Sequence, residues 1–339
     1  MTIFAVGNSQ DDMINELTLS TSSRRTLRVA GAEVTPSLVN TADWRAVVAY
    51  FVASQDVKES SRDLYTRTLS QYFMWVEATS RDLSTMTRED VLEYKDHLQE
   101  EGLSALTIGS YIVAVRKFYE FAESYKLYPN IAKGVKTPRR KQQFKKQHLT
   151  DTKSADLLSY FEDKSLRDFA IVNLLLRTGL RTIEVARANV GDITFKSGKR
   201  VLLVWGKGHD EKDDFVVLTD KTYEPIKRYL ETSRKGAKAG EPLFVSHSHQ
   251  NYGERLTTRT ISGLCKEGLK AIGLDGKEFT AHSLRHTTAV AILTHGGSLT
   301  DAQAVLRHSS PTTTQIYTES IKEELRLRNS PESMLDNAF

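Results

Sequence analysis

The stretch Thr178-Gly179-Leu180-Arg181-Thr182-Ile183-Glu184 decides how this chain is read. It breaks a helix-like run from Ser165 to Ala188 at Gly179 and places Arg181 just past the break. Glu184 follows one helical turn later, so the carboxylate and the guanidinium share a face. An arginine at a helix end is most often a solvated charge. Its meaning therefore depends on which other groups the chain carries, and in what order.

Moving outward, the next cation is Lys207, in Gly206-Lys207-Gly208 between two apolar, β-branched runs, Val201–Val204 and Phe215–Leu218. That pattern predicts a β-hairpin with a lysine near its turn. Further on, His282-Ser283-Leu284-Arg285-His286 puts His282 and Arg285 at i and i+3 on one helix face. Last comes Leu306-Arg307-His308-Ser309-Ser310-Pro311-Thr312-Thr313-Thr314-Gln315-Ile316-Tyr317, with His308 nine residues ahead of Tyr317. Each piece alone is weak: hairpin lysines are usually solvated, helix histidines usually satisfied, and tyrosines usually core. The ordered combination is what carries information.

The missing patterns narrow the chemistry. There is no G-x-x-x-x-G-K-S/T phosphate loop, no G-x-G-x-x-G after a strand and no H-E-x-x-H. The acids do not cluster at two-metal spacing, which leaves a dispersed carboxylate triad open. Cys265 is the single cysteine, which excludes an internal disulfide framework and a cysteine-based zinc site and suggests a reducing compartment. Residues 1–20 hold Asp11, Asp12 and Glu16 with no basic residue, unlike a signal or transit peptide, and no apolar run approaches membrane-spanning length. The expectation is a cytoplasmic protein with no membrane partner. At 339 residues, 39% of them hydrophobic and 27% charged, the chain is ordinary in composition and long enough for two domains.

The net charge of +4 says little until it is located. Residues 133–149 contain Lys133, Lys136, Arg139, Arg140, Lys141, Lys145 and Lys146 and no acid, so this stretch is +7 and the rest of the chain is net −3. With Pro138 and no apolar periodicity it reads as an extended linker whose self-repulsion a phosphate backbone would relieve. Before it, residues 41–132 read as a four-helix domain. Residues 44–54 form one short helix. Tyr65, Leu69, Tyr72 and Val76 line a second, and Val91, Tyr94 and Leu98 a third. Ile108, Ile112, Val115, Tyr119 and Ala122 line the fourth. Thr87 and Asp90 form a capping box with Asp in place of Glu, and Gly102 ends the helix. After the linker the chain reads as mainly helical with the hairpin as its one β insertion, and further helices are expected at 258–272, 283–295 and 299–307. Residues 1–40, rich in Ser and Thr over 18–26, are expected to carry little order.

Taken together, the ordered residues resemble the tyrosine recombinases, also called the phage integrase family, over about residues 41–325. The family pattern has Arg in T-G-L-R-x-x-E, a hairpin Lys, H-x-L-R-H, a G-H, and a Tyr nine residues after that His. Arg181, Glu184, Lys207, His282, Arg285, His308 and Tyr317 fill these positions in order. Arg307 departs from it, standing where the family usually has Gly, and an arginine there could add a phosphate contact. The resemblance implies a mainly α, two-domain C-clamp: a helical, SAM-like core-binding domain over 41–132, the basic linker 133–149 on the DNA backbone, and a catalytic domain over 150–325 with a small antiparallel β-sheet. Residues 1–40 would be an N-terminal extension, and 326–339 a tail exchanged between protomers. It implies Tyr317 as nucleophile, with Arg181, Lys207, His282, Arg285 and His308 as its catalytic partners and Glu184 in support. No metal and no cofactor would be needed. The partners would be double-stranded DNA, a homo-tetramer on synapsed sites, and accessory DNA-bending or directionality proteins.

Physical chemistry agrees with that assignment. Attack on a phosphodiester places more negative charge on the non-bridging oxygens, which paired guanidiniums can hold with charge-assisted bonds. Two other functions share parts of the pattern. A type IB topoisomerase would use the same chemistry to nick, swivel and reseal. A regulatory DNA-binding protein would keep the fold with a decayed site, although here every catalytic position is filled.

Overall fold

The computed structural model describes residues 27–29, 32–34, 44–139, 147–205 and 211–308. Contacts divide the chain into two units that meet between Gln142 and Gln143.

In the first unit, α1 (Trp44–Ser54), α2 (Glu59–Ala78), α3 (Arg88–Glu100) and α4 (Ala105–Ser124) pack around one aromatic core. Leu69, Tyr72 and Val76 of α2, Val91, Tyr94 and Leu98 of α3, and Ile108, Ile112, Val115, Tyr119 and Ala122 of α4 are all buried. These are the periodic residues of the sequence, which bury one face of each helix. Tyr65 lies partly buried at the edge of this core. The hydroxyls of Tyr72 and Tyr119 meet at 3.0 Å, so two buried phenols satisfy each other, and burial pushes both well above the usual phenol range. At the start of α3, Asp90 Oδ2 accepts the Thr87 backbone N–H at 2.7 Å, and Gly102 leaves the helix with φ +73°. The expectation of little order over residues 1–40 falls largely outside the described residues. Within them, β1 (Leu27–Val29) pairs antiparallel with β2 (Ala32–Val34).

Among the described residues, the second unit is helical with one sheet. Its elements are α5 (Asp151–Glu162), α6 (Leu166–Thr178), α7 (Thr182–Arg187), a 3-10 turn at Val190–Asp192, β3 (Ile193–Lys196), β4 (Lys199–Val204), β5 (Asp214–Val217), α8 (Asp220–Ser233), α9 (Thr258–Ala271), α10 (Ala281–Thr294) and α11 (Leu299–Leu306). The sheet order is β3-β4-β5, antiparallel throughout. The expected hairpin is thus β4–β5, and β3 adds a strand that the alternation had not shown. Leu202 and Val204 on β4 and Val216 on β5 turn inward onto the core.

α10 is the hub of this unit. Every residue from Ser283 to Val290 is buried, and Thr288 Oγ1 donates to the carbonyl of Leu176 at 2.9 Å, seating α10 on the end of α6. α8 contains Pro225, whose missing N–H leaves the carbonyl of Lys221 without its helical donor. Asn173 Nδ2, buried on α6, fills that place at 2.9 Å. No helix among the described residues is long and apolar enough to cross a membrane.

Candidate active site

The break at Gly179 is built by two constraints. Gly179 sits at φ +60°, in the left-handed region, and an added Cβ would lie 2.6 Å from Leu306 Cδ2 and 3.3 Å from Thr288 Cγ2. Only glycine meets both the backbone and the space. The chain then turns through Leu180 into α7, with Arg181 at its N-terminal boundary. Glu184 caps this start: its Oε2 accepts the Arg181 backbone N–H at 2.6 Å, and its Oε1 pairs with Arg181 Nη1 at 3.0 Å. Glu184 is 6% exposed while the Arg181 side chain is 32% exposed. The carboxylate is therefore inside and the guanidinium it holds reaches outward.

Arg285 lies on α10 and is 2% exposed. Its Nη1 donates to the carbonyl of Gly179 and its Nη2 to that of Leu306 at 2.6 Å. One side chain thereby joins the ends of α6 and α11. His282, one turn before Arg285, is exposed, and its ring meets that of His286 edge-on at 4.8 Å between centroids.

Arg181, His282 and Arg285 line one cavity of about 450 Å³, together with Thr182, Ser262, Lys266 and Thr280. The first residues of α10, Ala281 and His282, lie on its wall, so the positive end of that helix faces the same space. Of the lining cations, Lys266 is tied down, donating to the carbonyls of Asp275 and Gly276, each at 2.8 Å. Sequence reading had passed over Ser262, Lys266 and Thr280, because nothing in their spacing separates them from ordinary helix and loop residues.

His308 follows the end of α11. Its pKa is lowered to about 4, chiefly by burial and then by the positive charges of Arg285, Arg181, His282 and Arg307, in that order. The ring is neutral at pH 7, in the field of the three residues that line the cavity.

Arg307 is not turned toward the cavity. It caps α11 in the left-handed region, with φ +54° and ψ +49°, where a side chain costs about 1–2 kcal/mol. Its guanidinium donates to Glu184 Oε2 at 2.8 Å, and its Nε lies 3.4 Å from Asp214 Oδ2 at the start of β5. These two carboxylates occupy its guanidinium and leave its side chain 8% exposed.

Lys207 and Tyr317 lie outside the described residues, as do Arg140, Lys141, Lys145, Lys146 and the tail 326–339. A second lysine of the β4–β5 connection, Lys212, pairs with the buried Asp192. Of the basic linker, Lys133, Lys136 and Arg139 are exposed, while Ala132 and Val135 beside them are buried. Lys133 shares a cavity of about 420 Å³ with Arg116 and Lys117 of α4. Sequence reading had not singled out those two; their signal is an adjacent basic pair on the polar side of the Ile112, Val115 and Tyr119 stripe.

Comparison with known proteins follows the two units. Residues 147–324 match the model of the phage integrase family, and residues 42–126 that of the phage integrase N-terminal SAM-like domain. Among curated proteins the chain is 30% identical to tyrosine recombinase XerD of Halalkalibacterium halodurans, over 77% of this chain and 87% of that one. It is 30% identical to tyrosine recombinase XerC of Pediococcus pentosaceus, over 82% and 93%. Among solved structures, XerH site-specific recombinase bound to palindromic difH substrate superposes with a TM-score of 0.65 at 21% identity, covering 80% of each chain. A lambda integrase dimer bound to a core site gives 0.62 at 17%, covering 80% of this chain and 94% of that one.

Proposed function

The chain belongs to the phage integrase family of tyrosine recombinases, and from that premise we propose that it cuts and rejoins duplex DNA at specific sites through a 3′-phosphotyrosine at Tyr317. The observation that carries this reading is the cavity lined by Arg181, His282 and Arg285, with His308 held in their field nine residues ahead of Tyr317.

A DNA phosphodiester entering that cavity meets two guanidiniums and a helix N-terminus. Each favours the charge that grows on the non-bridging oxygens as the nucleophile attacks. Arg285 is oriented beforehand by two backbone carbonyls and Arg181 by Glu184, so little reorganisation accompanies the reaction. His282 supplies a further polar group at the mouth. His308, neutral, supplies one ring N–H without adding a charge that would compete with the arginines. At its usual pKa of about 10, only ~0.1% of a tyrosine is phenolate at pH 7, and the surrounding cations lower that barrier for Tyr317. The bond from phosphorus to the 5′-oxygen breaks as the bond to the Tyr317 oxygen forms. Lys207 gives the departing oxygen its proton. The phosphotyrosine retains the ester energy, so a second 5′-hydroxyl can reverse the step on another strand. The exposed Lys133, Lys136 and Arg139, with the basic residues that follow them, would contact the backbone and give affinity without sequence readout. Strand exchange between two duplexes is read as the work of a homo-tetramer.

The test is covalent trapping. A recombination half-site is first recovered from a randomised duplex library by binding to the protein, then nicked so that cleavage cannot reverse. The wild type should give an SDS-resistant adduct with no added metal, and Tyr317→Phe none. An adduct that persists in the Phe variant would place the nucleophile elsewhere. Relaxation of supercoiled plasmids that lack the selected site would favour a topoisomerase instead.

A further inference from the structure

We propose that Arg307 is a positioning residue, wedged between Glu184 and Asp214, that fixes the carboxylate holding Arg181 and ties the start of β5 to the turn carrying His308. The inference rests on the reading that Arg181 grips the scissile phosphate.

Glu184 divides its two oxygens between two arginines. Oε1 takes Arg181 Nη1, and Oε2 takes both the Arg181 backbone N–H and Arg307 Nη2. Arg307 therefore settles where the carboxylate stands, and through it the Arg181 side chain. It also draws part of the carboxylate's negative charge away from Arg181, leaving more positive charge for a phosphate. Its Nε lies toward Asp214, so three separate elements, α7, the end of α11 and β5, meet on one planar group. A guanidinium presents donors in a rigid fork that can serve two carboxylates at once; an ammonium is a single point charge.

The backbone argues the same way. Four non-glycine residues have positive φ among those described, and Ser80, Lys126 and Ser197 are exposed. Arg307 alone of the four carries a buried, doubly paired side chain. Glycine would fit that backbone with no penalty, so the side-chain bonds are what the arginine adds. A direct phosphate contact is the competing role. It conflicts with a guanidinium turned onto Glu184 and Asp214 and absent from the lining of the cavity, where Arg181 and Arg285 both stand.

The experiment compares wild type, Arg307→Gly, Arg307→Lys and Asp214→Asn on the nicked half-site. It measures the single-turnover rate of adduct formation, half-site affinity against salt, and thermal melting. For Arg307→Gly the expected result is adduct formation slower by at least about tenfold, with half-site affinity and its salt slope unchanged. Arg307→Lys should fall between Gly and wild type, and Asp214→Asn should slow the reaction less than Gly does. A Gly variant that reacts within twofold of wild type overturns the proposal. So does a salt slope shallower by about one charge, which would make Arg307 a phosphate contact. If the Gly variant does not fold, the Lys variant decides, because a wild-type rate with lysine removes the need for the fork. A wild type that forms no adduct overturns the parent reading and this one with it. A reactive wild type beside an equally reactive Gly variant overturns Arg307 alone.

Discussion

Arg285 Nη2 donates to the backbone carbonyl of Leu306 at 2.6 Å, and the other arm of the same guanidinium reaches the carbonyl of Gly179. A side chain presented to the cavity is thus also a strut between the ends of α6 and α11. Its position and the position of His308 are set together.

Arg285→Ala is therefore expected to fail in two ways. It strips donors from buried carbonyls and leaves a void, which should cost about 2–5 kcal/mol in urea unfolding. Arg285→Lys keeps the charge but cannot span both carbonyls. It should bind a half-site while forming the covalent adduct at least about 100-fold more slowly. Adduct formation by the Lys variant at a wild-type rate would show that charge alone suffices.

Gly179 should resist the smallest substitution. Ala places a methyl group 2.6 Å from Leu306 and forces a left-handed backbone on an L-residue. The combined cost is about 2–5 kcal/mol. Denaturant midpoints for Gly179→Ala and for a control at Gly198, where an added Cβ meets nothing within 4 Å but φ is +74°, separate crowding from backbone strain. Equal losses at both positions would assign the whole effect to φ.

His308 predicts an acid limb. Its pKa falls to about 4 in the folded state, chiefly through burial, then through Arg285, Arg181, His282 and Arg307. The unfolded chain binds the proton more readily, at about 6.5. The contribution of this group to stability is therefore complete above about pH 6.5 and is lost as pH falls toward 4. Melting temperatures of wild type and His308→Asn, measured from pH 7 to 4, should converge as the pH falls. A gap that stays constant across that window would show that His308 does not titrate within it.

How much of this was legible depends on where each signal lies. The helices of the first unit bury one face each, so their periodicity could be read directly from Tyr72, Tyr94 and Tyr119. The order of Arg181, His282, Arg285 and His308 is also local, since each sits in a short motif. Elements defined by long-range partners were hidden. α8, which the sequence reading did not pick out, carries Pro225 and is completed by Asn173, 48 residues before the carbonyl it satisfies. β3 is a strand because Ile193 faces Leu202, while Phe195 stays 65% exposed. Arg307 was visible as an unusual residue, but its link to Glu184 spans 123 positions. No spacing rule reveals a contact of that kind.

Lys207 offers the sharpest test of the chemistry. It stands between β4, which ends at Val204, and β5, which begins at Asp214; Lys212 in the same connection is paired with Asp192. If Lys207 protonates the departing 5′-oxygen, its loss should slow cleavage far more than binding, since a neutral alcohol leaves much more readily than an alkoxide. Replacing the bridging 5′-oxygen with sulfur removes the need, because a thiolate leaves unprotonated at neutral pH. Lys207→Ala should therefore form the adduct slowly on the ordinary half-site and near the wild-type rate on the phosphorothiolate. Lys212→Ala, made in parallel, should show no such rescue, because its partner is a structural carboxylate. A Lys207 defect of equal size on both substrates would remove it as the acid, and rescue of the Lys212 variant in its place would transfer the role.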